Sequence, residues 1–339
     1  MFEVVEAGLQ STIQDAGRPE WTHLGVPVAG ACDAWSLAVA NLLVGNEPGA
    51  AALEMTVAGP VLSVRSDVVV GLAGADLDGL LRPAGRRLEP GRTHALEAGA
   101  TIAFPGLSAA EDHGARGYLA VPGGFDVPVV LGSRSTSLAG AFGGVAGRPI
   151  RAGDRLSAAT PARGDRRRDV EARFQDADVR AWPELDDDPL RGDPLRPVRL
   201  LRGPAAGIDG IVCTGWRVAA GSDRVGLRLE GPPLQPPGDG RMLSHGLVFG
   251  AVQLPPDGRP IVLLADHQTT GGYPVPAIVA SVDRPRLGQL RPGGSVSFVE
   301  ADEAEALAAL ARQRAALARG AALLREAAGW DALWQSAGG

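Results

Sequence analysis

Apolar residues in this chain come in short runs, each closed by glycine, proline or a small polar residue. "VLSVRSDVVVGLAG" (61–74), "TIAFPG" (101–106), "GYLAVPGG" (117–124), "PIVLLA" (260–265) and "VSFVE" (296–300) are rich in β-branched residues and too short for helices. They read as strands bounded by turns. Helical spacing is rarer. In "DAWSLAVANLLVGN", Asp33 to Asn46, the residues Leu37, Ala40, Leu43 and Val44 share one face. Asp33 is placed to cap the start of that helix and Gly45 to end it. A second helical pattern, "DEAEALAALARQRAALARGAALLREAAGWDALW", is capped near Asp302. Its Leu310, Leu317 and Leu324 recur at heptad spacing, with Leu307 and Ala321 beside them. Such a stripe either packs back on its own domain or meets another subunit. The pattern as a whole predicts a mainly β protein, a barrel or sandwich, with a C-terminal helix.

Strand-turn units recur along the chain. "LEAGATIAF" (96–104), "IRAGDRLSA" (150–158) and "LRPGGSVSF" (290–298) share one form, and "EMTVAGPVL" (54–62) and "GLRLEGPPL" (226–234) share another. This echo predicts two related β domains. Between them the sequence turns charged, with "RGDRRRD" and "ELDDDPLRGDP", as an exposed connection does. The expected organisation is a first β domain over 1–160, a charged connection over 161–197, a second β domain over 198–300 and a helical extension over 301–339.

Composition narrows the function classes. The chain has 339 residues, 45% of them hydrophobic, and a net charge of −6, so a packed core needs no disulfides. A negative net charge argues against nucleic acid as the main ligand. The longest apolar stretch, "VVVGLAGADLDGLL", is broken by Gly74 and Asp76 and does not predict a membrane span. "MFEVVEAGLQ" lacks a basic region and does not read as a signal peptide. Cys32 and Cys213 are expected to be reduced and buried, and the expected compartment is the cytoplasm. All 33 basic residues are arginine, and there is no lysine. That excludes a phosphate-loop lysine, a Schiff-base lysine and a biotinyl-lysine on this chain.

The five histidines are scattered without metal-ligand spacing, so no metal site is expected. No Gly-x-Gly-x-x-Gly follows a strand, and no Gly-x-Ser-x-Gly elbow exists. What remains is a set of polar clusters in apolar, glycine-rich settings. They comprise Gln14, Asp15, Arg18, Asp33, Asn41 and Asn46; Ser133, Arg134, Ser135 and Thr136; Ser222, Asp223, Arg224 and Arg228; and Gln253, Asp266, Gln268, Thr269, Thr270 and Tyr273. Taken one at a time, each such residue also has a local use as a cap, a turn partner or a brace.

Several long segments resemble one known family. "QDAGRPEWTHLGVPVAGACDAWSLAVANLLVGN", "AALEMTVAGPVL", "YLAVPGGFDVPVVLGSRST", "GGVAGRPIRAGD", "SDRVGLRLEGPPL" and "VQLPPDGRPIVLLADHQTTGGYP" are similar, in the same order, to the family of the 5-oxoprolinase C subunit. That family is also called biotin-dependent carboxyltransferase or allophanate hydrolase subunit 2. The resemblance runs from about Glu3 to Phe298. His267 departs from it, standing where the family pattern leads one to expect arginine. The resemblance implies two tandem cyclophilin-like β-barrel domains. It also implies a component of ATP-dependent 5-oxoprolinase, which opens 5-oxo-L-proline to L-glutamate together with subunits A and B. ATP would then be handled with the partner subunits. Two further readings stay open: a carboxyltransferase subunit of a biotin-dependent urea-type carboxylase, and a non-catalytic regulatory binding subunit.

Both chemistries act on an amide-like carbonyl, so the site needs oxyanion donors and a proton carrier. In "ADHQTTGGYP", Asp266 is the candidate base or orienting carboxylate. Gln268 and Thr269 are candidates to bind a small polar amide, and Gly271 and Gly272 allow close approach of the backbone. Thr270, Tyr273, Gln253, Arg134, Ser135, Thr136, Arg224, Asp33 and Asn41 are candidates for the substrate-binding surface.

Overall fold

The computed structural model describes residues 1–107, 114–159, 181–190, 193 and 195–327. Within the first 159 residues, strands Phe2–Glu6, Val61–Val64, Gly79–Arg82, Arg86–Leu88, Thr101–Ala103 and Arg155–Leu156 form one six-stranded sheet. Strands Gln10–Gln14, Ala52–Thr56, Val68–Gly74, Arg92–Leu96 and Arg116–Ala120 form a five-stranded sheet. Phe2, Ile13, Leu53, Met55, Leu62, Val70, Leu72, Ile102 and Leu119 pack between the two sheets.

The apolar runs read from the sequence are continuous because the five-stranded sheet is covered on both faces. Val70, Leu72 and Leu119 point to the inter-sheet core. Their neighbours Val69, Ala73, Tyr118 and Ala120 point to helix α1 (Ala34–Leu43). Asp33 caps α1 by accepting from Ser36 N at 3.0 Å, as its residue type implies. Gly71 lies where α1 crosses the sheet, and a side chain there would strike the Ala40 carbonyl.

The second unit is an eight-stranded sheet. Its order is Ser295–Val296, Trp216–Val218, Gly226–Glu230, Ile261–Leu263, Ala251–Gln253, Ala277–Val279, Val198–Arg202 and Phe298–Glu300. The two terminal strands of that order flank a single residue, Ser297, so the sheet curls until its edges are carried by one continuous segment. Phe298–Glu300 pairs parallel with Val198–Arg202, and every other pair in this sheet is antiparallel. The nearly closed barrel is filled by Val198, Leu200, Trp216, Leu227, Val252, Val262, Leu264, Val279 and Phe298. The chain is therefore mainly β, as the strand pattern predicts.

Among the described residues three further α-helices follow: α2 (Ile208–Val212), α3 (Arg284–Gln289) and α4 (Glu303–Ala327). Asp302 accepts from Glu305 N at 2.7 Å at the start of α4. Early in α4, Ala306 and Ala309 pack on Ala280 and Val282 of the second unit. Later, Ala316 and Leu324 pack with Trp35, Leu37 and Tyr118 of the first. Helix α4 thus spans both units of its own chain. Leu324 of the heptad stripe is buried, Leu310 and Leu317 are half-buried and Leu307 is exposed. The helix approaches instead through small residues, with Gly320 against the Trp182 ring.

The charged connection expected over 161–197 lies largely outside the described residues, as do residues 328–339. Of that connection, Trp182, Leu185 and Leu190 pack beside α1 and α4. Among the described residues no helix is long and apolar enough to cross a membrane, and no cluster of metal-ligating side chains occurs. Cys32 is buried, Cys213 is exposed, and both are free thiols.

Candidate functional site

Arg224 lies at the junction of the two units and is almost wholly buried. Its Nε and Nη2 donate to Asp266 Oδ2 and Oδ1 at 2.9 and 3.0 Å. Nη2 also donates to the Gly30 carbonyl at 2.7 Å, and Nη1 reaches Glu54 Oε1 and Cys32 Sγ. Asp266 follows the second unit's strand Ile261–Leu263, whereas Glu54 lies on the first unit's strand Ala52–Thr56. One guanidinium therefore ties the two units together. Glu54 Oε2 accepts from Tyr118 Oη at 2.7 Å and from Cys32 N at 3.0 Å, and Arg116 Nε lies 3.5 Å from Oε1.

Burial by itself raises the pKa of Glu54. Arg224 and Arg116 outweigh that and hold it below the ordinary carboxylate range. Cys32, in the same cluster, is pushed up to about 11 by burial and is a poor nucleophile there. Asp33 adjoins the cluster. Its Oδ2 accepts from Ser36 Oγ and from Gln289 Nε2 of α3, each at 2.6 Å, while Tyr118 Oη accepts from Asp33 N. Burial raises Asp33 to about 6. A paired buried cluster of this kind adds little net stability, but losing one member is costly. Its chemical effect is to fix how the two units meet.

Beside this cluster lies a cavity of about 590 Å³, within the size range of small-molecule sites. The first unit contributes Pro19, Thr22, Val28 and Trp35. The second contributes Leu247, Phe249, His267 and Arg284, and α4 contributes Leu310, Gln313, Arg314 and Leu317. Beyond the strand the chain makes a turn over Leu264–His267, closed by His267 N donating to the Leu264 carbonyl at 3.2 Å, and this turn sends neighbouring side chains to different places. Ala265 and His267 line the cavity, while Asp266 between them turns the other way into the Arg224 cluster. The His267 ring holds the Gln268 carbonyl through Nδ1 at 2.6 Å. A carbonyl only accepts, so Nδ1 carries the proton and Nε2 is left as the acceptor. Burial lowers the His267 pKa and nearby Arg284 lowers it further, against the opposing Gln268 carbonyl and Asp266, so the site favours the neutral ring. Arg284 stacks over Phe249, 5.5 Å from the ring centroid.

The candidates read from the sequence separate into four places. Asp266, Arg224 and Asp33 meet in or beside the interfacial cluster. Gln268, Thr269, Thr270, Gly271, Gly272, Tyr273 and Gln253 gather around a two-stranded ribbon, His245–Gly246 paired with Thr270–Gly271. There Gln268 Nε2 lies 3.4 Å from Gln253 Oε1, Leu247 N donates to the Thr269 carbonyl at 2.9 Å, and Tyr273 is partly exposed. Leu247, Val248 and Phe249, which leave that ribbon, border the cavity.

Arg134, Ser135 and Thr136 form a separate nest. Asp15 accepts from Arg134 N at 2.6 Å and from Ser133 and Ser135 Oγ at 2.6 and 2.5 Å, and the Ser135 carbonyl accepts from Arg18 at 2.6 Å. Thr136 Oγ1 donates to the Ile13 carbonyl. Asn41 lies in α1, donating to Leu37 and Ala50 carbonyls and accepting from Asn46. Residues not singled out from the sequence, namely Glu54, Arg116, Tyr118, Arg284 and Arg314, complete the cluster and the cavity.

A nearly closed β-barrel tied by a buried ion cluster to a two-sheet β unit defines a known domain class. Residues 24–300 match the carboxyltransferase domain family, subdomains A and B, and the chain belongs to that family. Within it, the chain is 36% identical to the C subunit of 5-oxoprolinase from Escherichia coli (strain K12), over 91% of this chain and 94% of that one. It is 32% identical to the corresponding 5-oxoprolinase protein of Haemophilus influenzae, over 88% and 90%. It also resembles larger proteins. The crystal structure of the Kluyveromyces lactis urea amidolyase superposes with a TM-score of 0.80 at 26% identity, covering 94% of this chain and 20% of that one. The structure of TTHA0988 superposes with a TM-score of 0.74 at 38% identity, over 88% of this chain and 56% of that one.

Proposed function

We propose that this chain is the C subunit of an ATP-dependent 5-oxoprolinase, opening 5-oxo-L-proline to L-glutamate together with subunits A and B. The observation that carries this reading is the similarity to a protein of that name along 94% of its length. The reading sets the chain in the cytoplasm, where ATP is supplied.

The chain lacks the residues of a phosphate-loop nucleotide site. It has no lysine and no Gly-x-Gly-x-x-Gly before a helix. On this reading ATP is handled with the partner subunits, and no step is routed through it here. Asp266 serves as the orienting carboxylate of the two roles considered, because Arg224 already occupies both of its oxygens. Gln253, Gln268, Thr269 and Thr270, with the backbone of Gly271 and Gly272, supply polar groups on the ribbon beside the cavity.

The second reading is a carboxyltransferase subunit acting on urea, favoured by the likeness to the K. lactis urea amidolyase. Reconstitution separates the two. With subunits A and B and ATP, the chain is expected to support glutamate release from 5-oxo-L-proline, and alone to support none. Transfer of CO2 from carboxybiotin to urea, with no glutamate release in the complex, would replace the first reading by the second.

A further inference from the structure

The interfacial cavity has an unusual charge balance. Among the described residues its lining contains two arginines, one histidine and no carboxylate. Arg314 is exposed at the α4 wall, where a cation steers anions inward. Arg284 is half-buried, and burial pulls its pKa below the ordinary arginine range. Its Nε has no hydrogen-bond partner, and it forms no ion pair among the described residues. The buried arginines at this junction differ, since Arg224 and Arg116 both face Glu54. A half-buried guanidinium with an enclosed, unpartnered Nε and no counter-charge is suited to an incoming anion. Its planar donor face matches a carboxylate.

His267 supplies a complementary feature. With Nδ1 committed to the Gln268 carbonyl, Nε2 presents a lone pair in the same cavity, with no hydrogen-bond partner among the described residues. We propose that this cavity binds a small molecule bearing both a carboxylate and an N–H group, with Arg284 holding the carboxylate and His267 Nε2 accepting from the N–H. Apolar contacts from Trp35, Val28, Leu247 and Leu317 suit a compact hydrocarbon ring between the two polar ends. For the identity of the molecule, 5-oxo-L-proline, the inference rests on the function proposed above. The two recognition roles rest on the cavity alone. Arg284 then separates an anionic lactam from a neutral amide such as urea, because urea leaves the guanidinium unneutralised.

Calorimetry on the full chain, alone and in complex with its partner subunits, tests this with two probes. These are 5-oxo-L-proline and 2-pyrrolidinone, the same lactam without the carboxylate. The parent is expected to bind 5-oxo-L-proline more tightly than 2-pyrrolidinone by about 10-fold or more, the scale of one charge-assisted contact. Arg284→Gln is expected to abolish that preference and leave 2-pyrrolidinone binding unchanged. Arg284→Lys, which keeps the charge and guards against a folding defect, is expected to retain part of the preference. His267→Phe is expected to weaken both lactams together. Equal binding of the two lactams by the parent, an unchanged preference in Arg284→Gln, or no heat with either probe at millimolar concentration would each overturn the inference. Failure of the functional reading looks different: glutamate release is absent from the complex, while the Arg284-dependent preference for the carboxylate persists. Unchanged KM for 5-oxo-L-proline in an active Arg284→Gln complex would sink the inference and leave the functional reading standing.

Discussion

Arg224 holds both carboxylate oxygens of Asp266, at 2.9 and 3.0 Å, from a position in which it also reaches Glu54 on the other β unit. The geometry is side-on and bidentate, the strongest form of this pairing, and all three side chains are buried. Asp266 therefore acts first on Arg224 and, through the strand end it anchors, on the placement of His267 in the cavity.

Asp266→Asn keeps the shape of the side chain but leaves Arg224 with one carboxylate in place of two. Removing one partner of a buried pair costs about 3–5 kcal/mol. The low end, about 3 kcal/mol, is expected here because Glu54 retains part of the counter-charge. Urea denaturation is expected to show a lower midpoint at unchanged slope. A variant as stable as the parent that has lost glutamate release would instead place Asp266 against the substrate.

Asp33 gives a pH signature of defined sign. Burial raises its folded pKa to about 6 from 3.8. Between those values the native chain holds a proton that the unfolded chain has released. The contribution of Asp33 to stability is therefore complete below pH 3.8 and is lost as pH rises through 6. A shift of that size corresponds to about 3 kcal/mol. Glu54 has the opposite sign: its pKa is held down, so its contribution is present above 4.5 and lost on acidification. The Tm of the parent minus that of Asp33→Asn, followed from pH 4 to pH 7, is expected to fall steadily. A difference that stays level would mean a carboxylate ionised throughout that range.

Gly320→Ala opposes two effects of known size. Alanine is favoured over glycine inside a helix by about 1 kcal/mol. At Gly320, however, the added methyl group runs into the Trp182 ring, and overpacking of this kind costs about 1–3 kcal/mol. The substitution is expected to lower Tm and to red-shift tryptophan emission as Trp182 is displaced. A raised Tm with unchanged emission would show that the ring yields without cost.

How far the sequence foretells this arrangement depends on whether the signal is local. The strands and α1 are legible because alternation, punctuation by glycine and proline, and the Asp33 cap all act within a few residues. Glu54 carries a signal that is visible in retrospect: a lone carboxylate between Leu53 and Met55 in an otherwise apolar strand implies a buried partner. That partner, Arg224, lies on another unit, and no spacing rule reaches it.

The segment after Ala265 reads as one cluster in sequence, yet the turn over Leu264–His267 divides it. Asp266 faces the ion pair, His267 faces the cavity, and Gln268 onwards moves to the ribbon. The leucine heptad of α4 drew attention away from its alanines and Gly320, which make the close contacts. Arg284 and Arg314 gave no local sign at all, because their meaning comes from a cavity that three distant segments enclose.

The curled sheet of the second unit has a bearing on how the protein is made. Its opening strand, Val198–Arg202, finds its parallel neighbour only in Phe298–Glu300, about a hundred residues later, and α4 leaves directly from that neighbour. During synthesis the first unit can gather its two sheets while the second still has a missing stave. The pocket wall carried by α4 arrives after that stave. Long-range closure of this sort is slow. The strand that closes the sheet and the helix that walls the cavity are thus both supplied by the chain after Ser295.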